Sequence, residues 1–557
     1  MRDRAAIVLV LGLALVLRIW GIQFGLPHTF TRPDEDAVFV IALRAFGRVF
    51  NPGFFHWPTL FMYAVAAGFV VYFNVGRWAG WFRSEYSFIA AAPSNPAPLL
   101  LIARVSSALA GVVTVWTVHQ IGLKLFDRVT ALAGALFLAV APLHVRDSHF
   151  GVTDVAATSL IALSFLFTVK YSQSGLRRHA IWSAIWAGLA ASTKYNAGLI
   201  ALAGLWSIWP AATAPRLWTD RSKLAAMYCV IAAVAFIAGT PYAILDWPSF
   251  LTALGEVTAH LRDGHVAPAG PAWQVHLTSS LRHGLGWPLL LAGVGGLSLY
   301  VWRERRAGTL LAIFPVTYFV IIGSGQTTFA RYIIPLIPFL CLSAAYFVVE
   351  AARAIGRLSS RPRIVPFLVC ALAAGVVVPA AWSSIRTDTL LSRTDNRLIA
   401  AEWIREQFPG GVTLYQTASQ YGHLQMQTAE AGAAARYLEA RFDESAGVFR
   451  REGETATLWP DLIVVQESPL AYSAMPRGIQ EILAARYELQ HTFQAVDSSF
   501  PGLVYDRDDA FFLPLAGFTA VVRPGPNLSI YARHVPSMKK GEDEINRSIR
   551  DFVSGSR

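Results

Sequence analysis

Charge is scarce in this chain: of its 557 residues only 15% are Asp, Glu, Lys or Arg, against 54% hydrophobic. A soluble domain needs about a quarter of its residues charged to cover its surface. The shortage excludes an ordinary soluble protein and makes the bilayer the solvent. Cysteine is scarcer still, and Cys229, Cys341 and Cys370 all fall inside apolar runs. They have neither the paired spacing of a zinc site nor the loop placement of a disulfide framework, so they read as packing residues. There is no internal repeat, no low-complexity segment and no glycine fingerprint for a nucleotide. Gly293-Val294-Gly295-Gly296 sits in an apolar stretch and reads as helix packing. The net charge of +11 is no argument for a nucleic-acid partner. Basic residues in short loops between apolar segments orient a membrane protein.

What the chain has in quantity is apolar runs close to the roughly 20 residues that cross a bilayer. Eleven are read as spans, at 5–24, 99–119, 129–143, 155–170, 180–192, 195–210, 225–244, 285–302, 308–323, 332–350 and 364–384. The first begins after Arg2 and Arg4 like a signal peptide. No small-residue cleavage pattern follows and Arg18 interrupts its end, so a retained helix is expected. A twelfth run, 57–78, is decided by charge. If it does not cross, Lys124 and Arg128, Lys170, Arg177 and Arg178, Arg216, Arg221 and Lys223, Arg303, Arg305 and Arg306, and Arg353, Arg357, Arg361 and Arg363 share the side of the N-terminus. That is a positive-inside pattern. The run is therefore expected to be re-entrant or to lie at the interface, within a long first outer loop at 25–97, its start broken at Trp57-Pro58. The expected fold class is a polytopic α-helical membrane protein with about eleven transmembrane helices at 1–385 and a soluble, extracytoplasmic α/β domain at 386–557. In that domain Asn396 to Gln407 has helical period, and Val412 to Gln416, Leu462 to Gln466 and Leu528 to Arg533 read as strands.

Polar function belongs in the outer connections. The first opens on Arg32-Pro33-Asp34-Glu35-Asp36, and the very short second one holds Asp147, His149 and Asp154. Ionisable groups kept at membrane depth are usually functional. A carboxylate at a low-dielectric boundary gains proton affinity unless a cation stabilises it, which suits a general base. Asp34 is the first candidate, with Glu35 its rival and Asp154 a supporting acid. A divalent metal is an open alternative, with Glu35, Asp154 and His149 as candidate ligands among scattered histidines at 56, 260, 265, 276 and 283. These lack a tight ligand spacing. Arg104, Lys194 and Arg331 place positive charge at depth. Cations there are suited to holding a lipid phosphate, although snorkelling explains Arg104 equally well.

These pieces, in this order, resemble the GT-C superfamily of polyprenyl-phosphate-sugar glycosyltransferases, in particular bacterial relatives of the protein O-mannosyltransferases and the RgtA/B/C/D-like group. The matching segments are Pro33-Asp34-Glu35, His56-Trp57-Pro58-Thr59-Leu60, Ala103-Arg104-Val105-Ser106, Ala141-Pro142 through Ser148-His149-Phe150 to Asp154, Thr193-Lys194-Tyr195, and Phe329-Ala330-Arg331-Tyr332 with Pro335 and Pro338. The resemblance covers about residues 1–350 and departs from the motif in the third acid, Asp36. It implies a lipid-phosphate sugar donor, a glycan, lipid or protein acceptor at the outer face of the cytoplasmic membrane, and inverting displacement at the anomeric carbon. Carried over, Asp34 would be the base, with Glu35 and Asp154 its supporting acids or metal ligands. Lys194 and Arg331 would contact the donor phosphate, and Arg32, Asp36, His56, Arg104, His149, Tyr195 and Tyr332 would complete the substrate-binding set. A transporter or flippase for a lipid-linked or anionic substrate is the alternative, although such proteins often show repeats.

Overall fold

The computed structural model describes residues 2–209, 218–266, 270–426, 436–451 and 456–534. Arg216 and the end of the C-terminal region from 535 to 557 lie outside the described residues.

The protein is a multi-pass membrane protein with a C-terminal sheet domain. Among the described residues seven helices are long and apolar enough to cross a membrane, or eight if the pair Ala272–Leu285 and Trp287–Arg303, bent by 110°, is one span. Every apolar segment read as a span is helical, but length separates them. Arg128–Ala139 has 12 residues and Arg177–Ala191 has 15. At about 1.5 Å per residue neither reaches across a roughly 30 Å hydrocarbon core by itself. Within 57–78, Leu60–Trp78 is one unbroken helix of 19 residues, among the seven. Pro58 precedes its first turn, where a missing N–H costs nothing, and so does not break it. This helix packs with Glu35–Phe46 and the start of Ala97–Leu125. Their shared apolar cluster runs from Val38 to Ala103, with Ala156 at its edge, and so belongs almost wholly to loop-one residues.

The central helix is Ile337–Leu358, whose span window, counted from Ala330, is 83% buried, against 6% for the peripheral Pro362–Gln407. Glycines let a neighbour approach it: a Cβ on Gly296 would stand 1.9 Å from the Ser343 carbonyl oxygen. The apolar Gly293 stretch is a helix-packing seam, as read. Cys341 is buried in this core, while Cys229 and Cys370 are exposed on helix surfaces.

Beyond Val365–Leu391 the period changes. Asp395 caps Asn396–Gln407 by accepting from the Arg397 amide at 2.9 Å. Among the described residues seven strands follow: β1 Val412–Gln416, β2 Tyr437–Asp443, β3 Val448–Arg451, β4 Thr457–Leu458, β5 Leu462–Glu467, β6 Tyr487–Phe493 and β7 Asn527–Arg533. Their order is β4-β3-β2-β1-β5-β7-β6, with β1 parallel to β2 and β5 and the other pairs antiparallel. Alternate residues serve opposite faces. Leu462 and Val464 meet Ala400, Ala401 and Ile404, whereas Ile463 and Val465 meet Ile479 and Leu483. Between β6 and β7 a long connection leaves the sheet for the helix ends. Phe511 and Leu513 join Phe24, Phe150 and Leu390 there, and Leu515 joins the helical core.

Candidate active site

At one end of the helices the connections converge. The Leu60 amide donates to the Ser192 carbonyl at 3.1 Å, the Ser192 and Thr240 hydroxyls are 2.7 Å apart, and the Asn51 amide donates to Asp246 at 2.9 Å. Above these ties opens a cavity of about 780 Å³, lined by loop one, by Asp154, Lys194 and Tyr195, by Arg331 and Tyr332, and by the C-terminal domain through Tyr421, Tyr472, Asp508 and Asp509.

Asp34 sits at the N-cap of Glu35–Phe46 in the left-handed region (φ 76°), a strained placement that a short polar side chain tolerates and that is common at functional sites. The turn throws its carboxylate into the cavity, 25% exposed and 3.0 Å from Nη2 of Arg331. The Arg331 guanidinium lies over the Phe329 ring at 4.0 Å, with Nη1 3.2 Å from Asp509. Across the cavity the Lys194 ammonium is hydrogen-bonded to Asp154 and lies 4.8 Å over the Tyr332 ring. Tyr195 lines the wall, and its hydroxyl donates to the Phe55 carbonyl at 2.7 Å. His56 lines the rim, 3.0 Å from Glu256. Asp36 also lines the cavity. Burial, then the neighbouring Asp34 and Glu35 charges, raise its proton affinity above the ordinary carboxylate value.

Four expected site residues are elsewhere. Glu35 is buried beneath Asp34 and has both oxygens engaged: Arg104 donates to them at 2.9 and 2.7 Å, and the Gly151 amide donates at 2.7 Å. It is a clamp between loop one and the helix bundle, and no face of it is free for chemistry. Arg104 spends Nη1 on the carbonyls of Ile22 and Phe24 and stacks on the Phe24 ring at 3.9 Å, so it holds protein rather than substrate. Arg32 is fully buried, giving Nη1 to both oxygens of Asp509 at 2.6 and 2.7 Å. His149 is buried between the carbonyls of Val145 and Trp20, each 3.0 Å away. Arg32, Glu35 and His149 stand near functional candidates in the sequence, and Arg104 is a cation at membrane depth, but the fold spends all four on protein contacts.

The candidate metal ligands already have protein partners. Glu35 is committed to Arg104 and Gly151, His149 to backbone, and Asp154 to Lys194. Among the described residues no three His, Cys, Asp or Glu side chains converge as a metal would require.

The sequence reading missed the contribution of the C-terminal domain. Asp506 accepts from the Ala330 amide at 2.8 Å, and Asp508 accepts from the amide and hydroxyl of Thr328 at 2.7 and 2.8 Å. Burial, reinforced by the neighbouring Asp509, pushes the Asp506 carboxyl up to about 7. Burial pushes Asp509 the same way, but Arg32 and Arg331 outweigh it and hold this carboxyl below the usual range. A signal existed: three acids within four residues stand immediately before the apolar Ala510-Phe511-Phe512-Leu513, the pattern of charge carried into an interior.

Residues 100–242 match the family model described as dolichyl-phosphate-mannose-protein mannosyltransferase. ArnT from Cupriavidus metallidurans, solved bound to undecaprenyl phosphate, has a similar structure at 16% identity and TM-score 0.53, over 95% of this chain and 98% of that one. The apo oligosaccharyltransferase of Archaeoglobus fulgidus is similar at 13% identity and TM-score 0.49, over 77% of this chain, which spans 60% of that longer protein. The mycobacterial arabinofuranosyltransferase AftD is similar at 16% identity and TM-score 0.43, over 95% of this chain and 41% of that one. No curated protein matches the sequence significantly. The family match lies inside the helical part of the chain, and the fold is shared along the length of ArnT.

Proposed function

We propose that the chain is an inverting glycosyltransferase that moves a hexosyl or pentosyl unit from a polyprenyl-phosphate donor to a glycan, lipid or protein acceptor at the outer face of the cytoplasmic membrane. The observation that carries this reading is one cavity holding the carboxylate of Asp34 together with two cations, Lys194 and Arg331. Transfer from a sugar phosphate develops positive charge at the anomeric carbon and negative charge on the departing phosphate. A carboxylate and paired cations stabilise both ends. The cavity stands at the ends of membrane-crossing helices, where a lipid-borne phosphate arrives from the bilayer.

Asp34 takes the proton of the acceptor hydroxyl as that oxygen attacks the anomeric carbon, and the polyprenyl phosphate leaves toward Arg331 and Lys194. Arg331 neutralises Asp34 at 3.0 Å. A phosphate that engages Arg331 competes for that guanidinium and frees the base only when the leaving group is in place. Asp154 orients Lys194, and Tyr332 supports its charge through the ring face. Asp36, His56 and Tyr195 line the space available to the sugar and acceptor. Sidedness is supported by the basic residues at the opposite ends of the helices, including Arg177, Arg178, Arg303, Arg305, Arg306, Arg357 and Arg361, which suit a cytoplasmic face. On that reading the N-terminus is inside and the sheet domain outside. Leu60–Trp78, packed on loop-one residues, then lies along the outer interface.

The test is transfer of radiolabelled sugar from polyprenyl-phosphate donors by the purified protein. Asp34→Asn is expected to lower the rate by about 10²–10⁴-fold with donor binding retained. Wild-type rates in that variant would remove Asp34 as the base. A wild type that transfers nothing but moves lipid-linked substrate across vesicles would make the protein a transporter.

A further inference from the structure

Asp506, Asp508 and Asp509 come from one connection of the sheet domain but make different contacts. Asp506 and Asp508 grip the 328–330 backbone, through the Ala330 amide and through Thr328, and so fasten the two domains together. Asp509 touches no backbone group there; its partners are the side chains of two arginines. Arg32 holds it rigidly, giving Nη1 to both oxygens at 2.6 and 2.7 Å while its guanidinium lies 4.7 and 5.2 Å from the rings of Phe150 and Phe511. The immobilised carboxylate stands 3.2 Å from Nη1 of Arg331, whose Nη2 reaches Asp34.

We propose that Asp509 is a positioning residue for the leaving phosphate, by which the C-terminal domain aims Arg331 into the cavity of the membrane domain. The inference rests on the glycosyltransferase reading above. An arginine side chain has many rotamers, and fixing it costs entropy at each binding event unless the protein has fixed it beforehand. With Asp509 3.2 Å from Nη1 and the Phe329 ring 4.0 Å from the guanidinium carbon, Nη2 is the group that faces Asp34 and can exchange it for a phosphate oxygen. A carboxylate beside a phosphate-binding cation would otherwise only weaken phosphate binding. Its pairing with Arg32 reduces that cost, because the charge of Asp509 is already countered before Arg331 is reached.

The experiment uses full-length protein in nanodiscs and three variants: Asp509→Asn, Asp509→Glu, and Arg32→Met combined with Asp509→Asn. The combined variant removes the buried charge pair together and so avoids leaving Arg32 unpaired. Undecaprenyl phosphate binding, the KM for donor and for acceptor, kcat and the unfolding temperature are measured. Loss of the carboxylate is expected to raise the undecaprenyl phosphate Kd and the donor KM about tenfold, the scale of one charge-assisted contact, with the acceptor KM unchanged. Asp509→Glu is expected to recover most of the loss. A folded variant without the carboxylate that keeps wild-type donor KM and undecaprenyl phosphate affinity would overturn the proposal. So would losses that track the unfolding temperature in all three variants and affect donor and acceptor alike, because Asp509 would then be a tether. Wild-type protein that fails to bind undecaprenyl phosphate removes the glycosyltransferase reading itself, an outcome distinct from unchanged binding in Asp509→Asn alone.

Discussion

Asp34 and Glu35 are adjacent carboxylates with opposite fates, and the turn between them is the reason. A left-handed residue ends the loop and starts the helix, so one side chain faces the cavity and the next points under it toward Arg104. Their substitutions should therefore fail differently. Glu35→Gln leaves Arg104 without its counter-ion at full burial, and removing one partner of a buried pair costs about 3–5 kcal/mol. Thermal unfolding in detergent should show a large drop for Glu35→Gln and little change for Asp34→Asn. A Glu35→Gln protein that is stable yet inactive would return Glu35 to the chemistry. The three-residue acidic run could not reveal this difference, because side-chain direction at a helix start depends on one backbone dihedral that no composition rule fixes.

Among the elements, the helix pair Trp287–Arg303 and Ile337–Leu358 shows how close approach is built from glycine. Gly296→Val has no room, since even the first side-chain carbon would stand 1.9 Å from the Ser343 carbonyl oxygen. Its unfolding temperature should fall sharply. Gly375→Ala, with nothing within 4 Å of the added carbon, should be neutral or slightly stabilising through helix propensity. Equal behaviour of the two would show that the seam does not hold the bundle. Helix existence was legible because hydropathy and period are local. The continuity of Leu60–Trp78 was not: the positive-inside rule weighs which side a loop occupies and says nothing about whether a proline precedes a helix or interrupts it.

For the whole molecule, the docking of the sheet domain should be pH-dependent. Burial and then the neighbouring Asp509 oppose the charge of Asp506 and push its carboxyl up from 3.8 to about 7. The folded state thus binds the proton more tightly, and between about pH 4 and 7 it carries more protons than the unfolded chain. The Asp506 contribution to stability falls as pH rises through that window, opposed up to about pH 6.5 by buried histidines such as His28, whose proton affinity burial lowers. Asp509, held low by its arginines, acts in the opposite sense but below the ordinary carboxylate range, so it does not compensate near neutrality. Unfolding temperature measured from pH 5 to 8 should fall more, or rise less, in the wild type than in Asp506→Asn. Parallel profiles in the two proteins would show that Asp506 is ionised throughout. Residue order alone carries the membrane solvent, the helical segments, the change of period from about residue 386 and the recognition of Asp34, Asp154, Lys194 and Arg331 as charges at depth. These are local properties: hydropathy, period and the cost of ionisable groups near lipid. Which charges face the cavity and which clamp the scaffold, and that Asp508 and Asp509 close the site from the other end of the chain, follow from the three-dimensional packing. Burial and ion pairing are set by residues far apart in sequence, so no local pattern carries them.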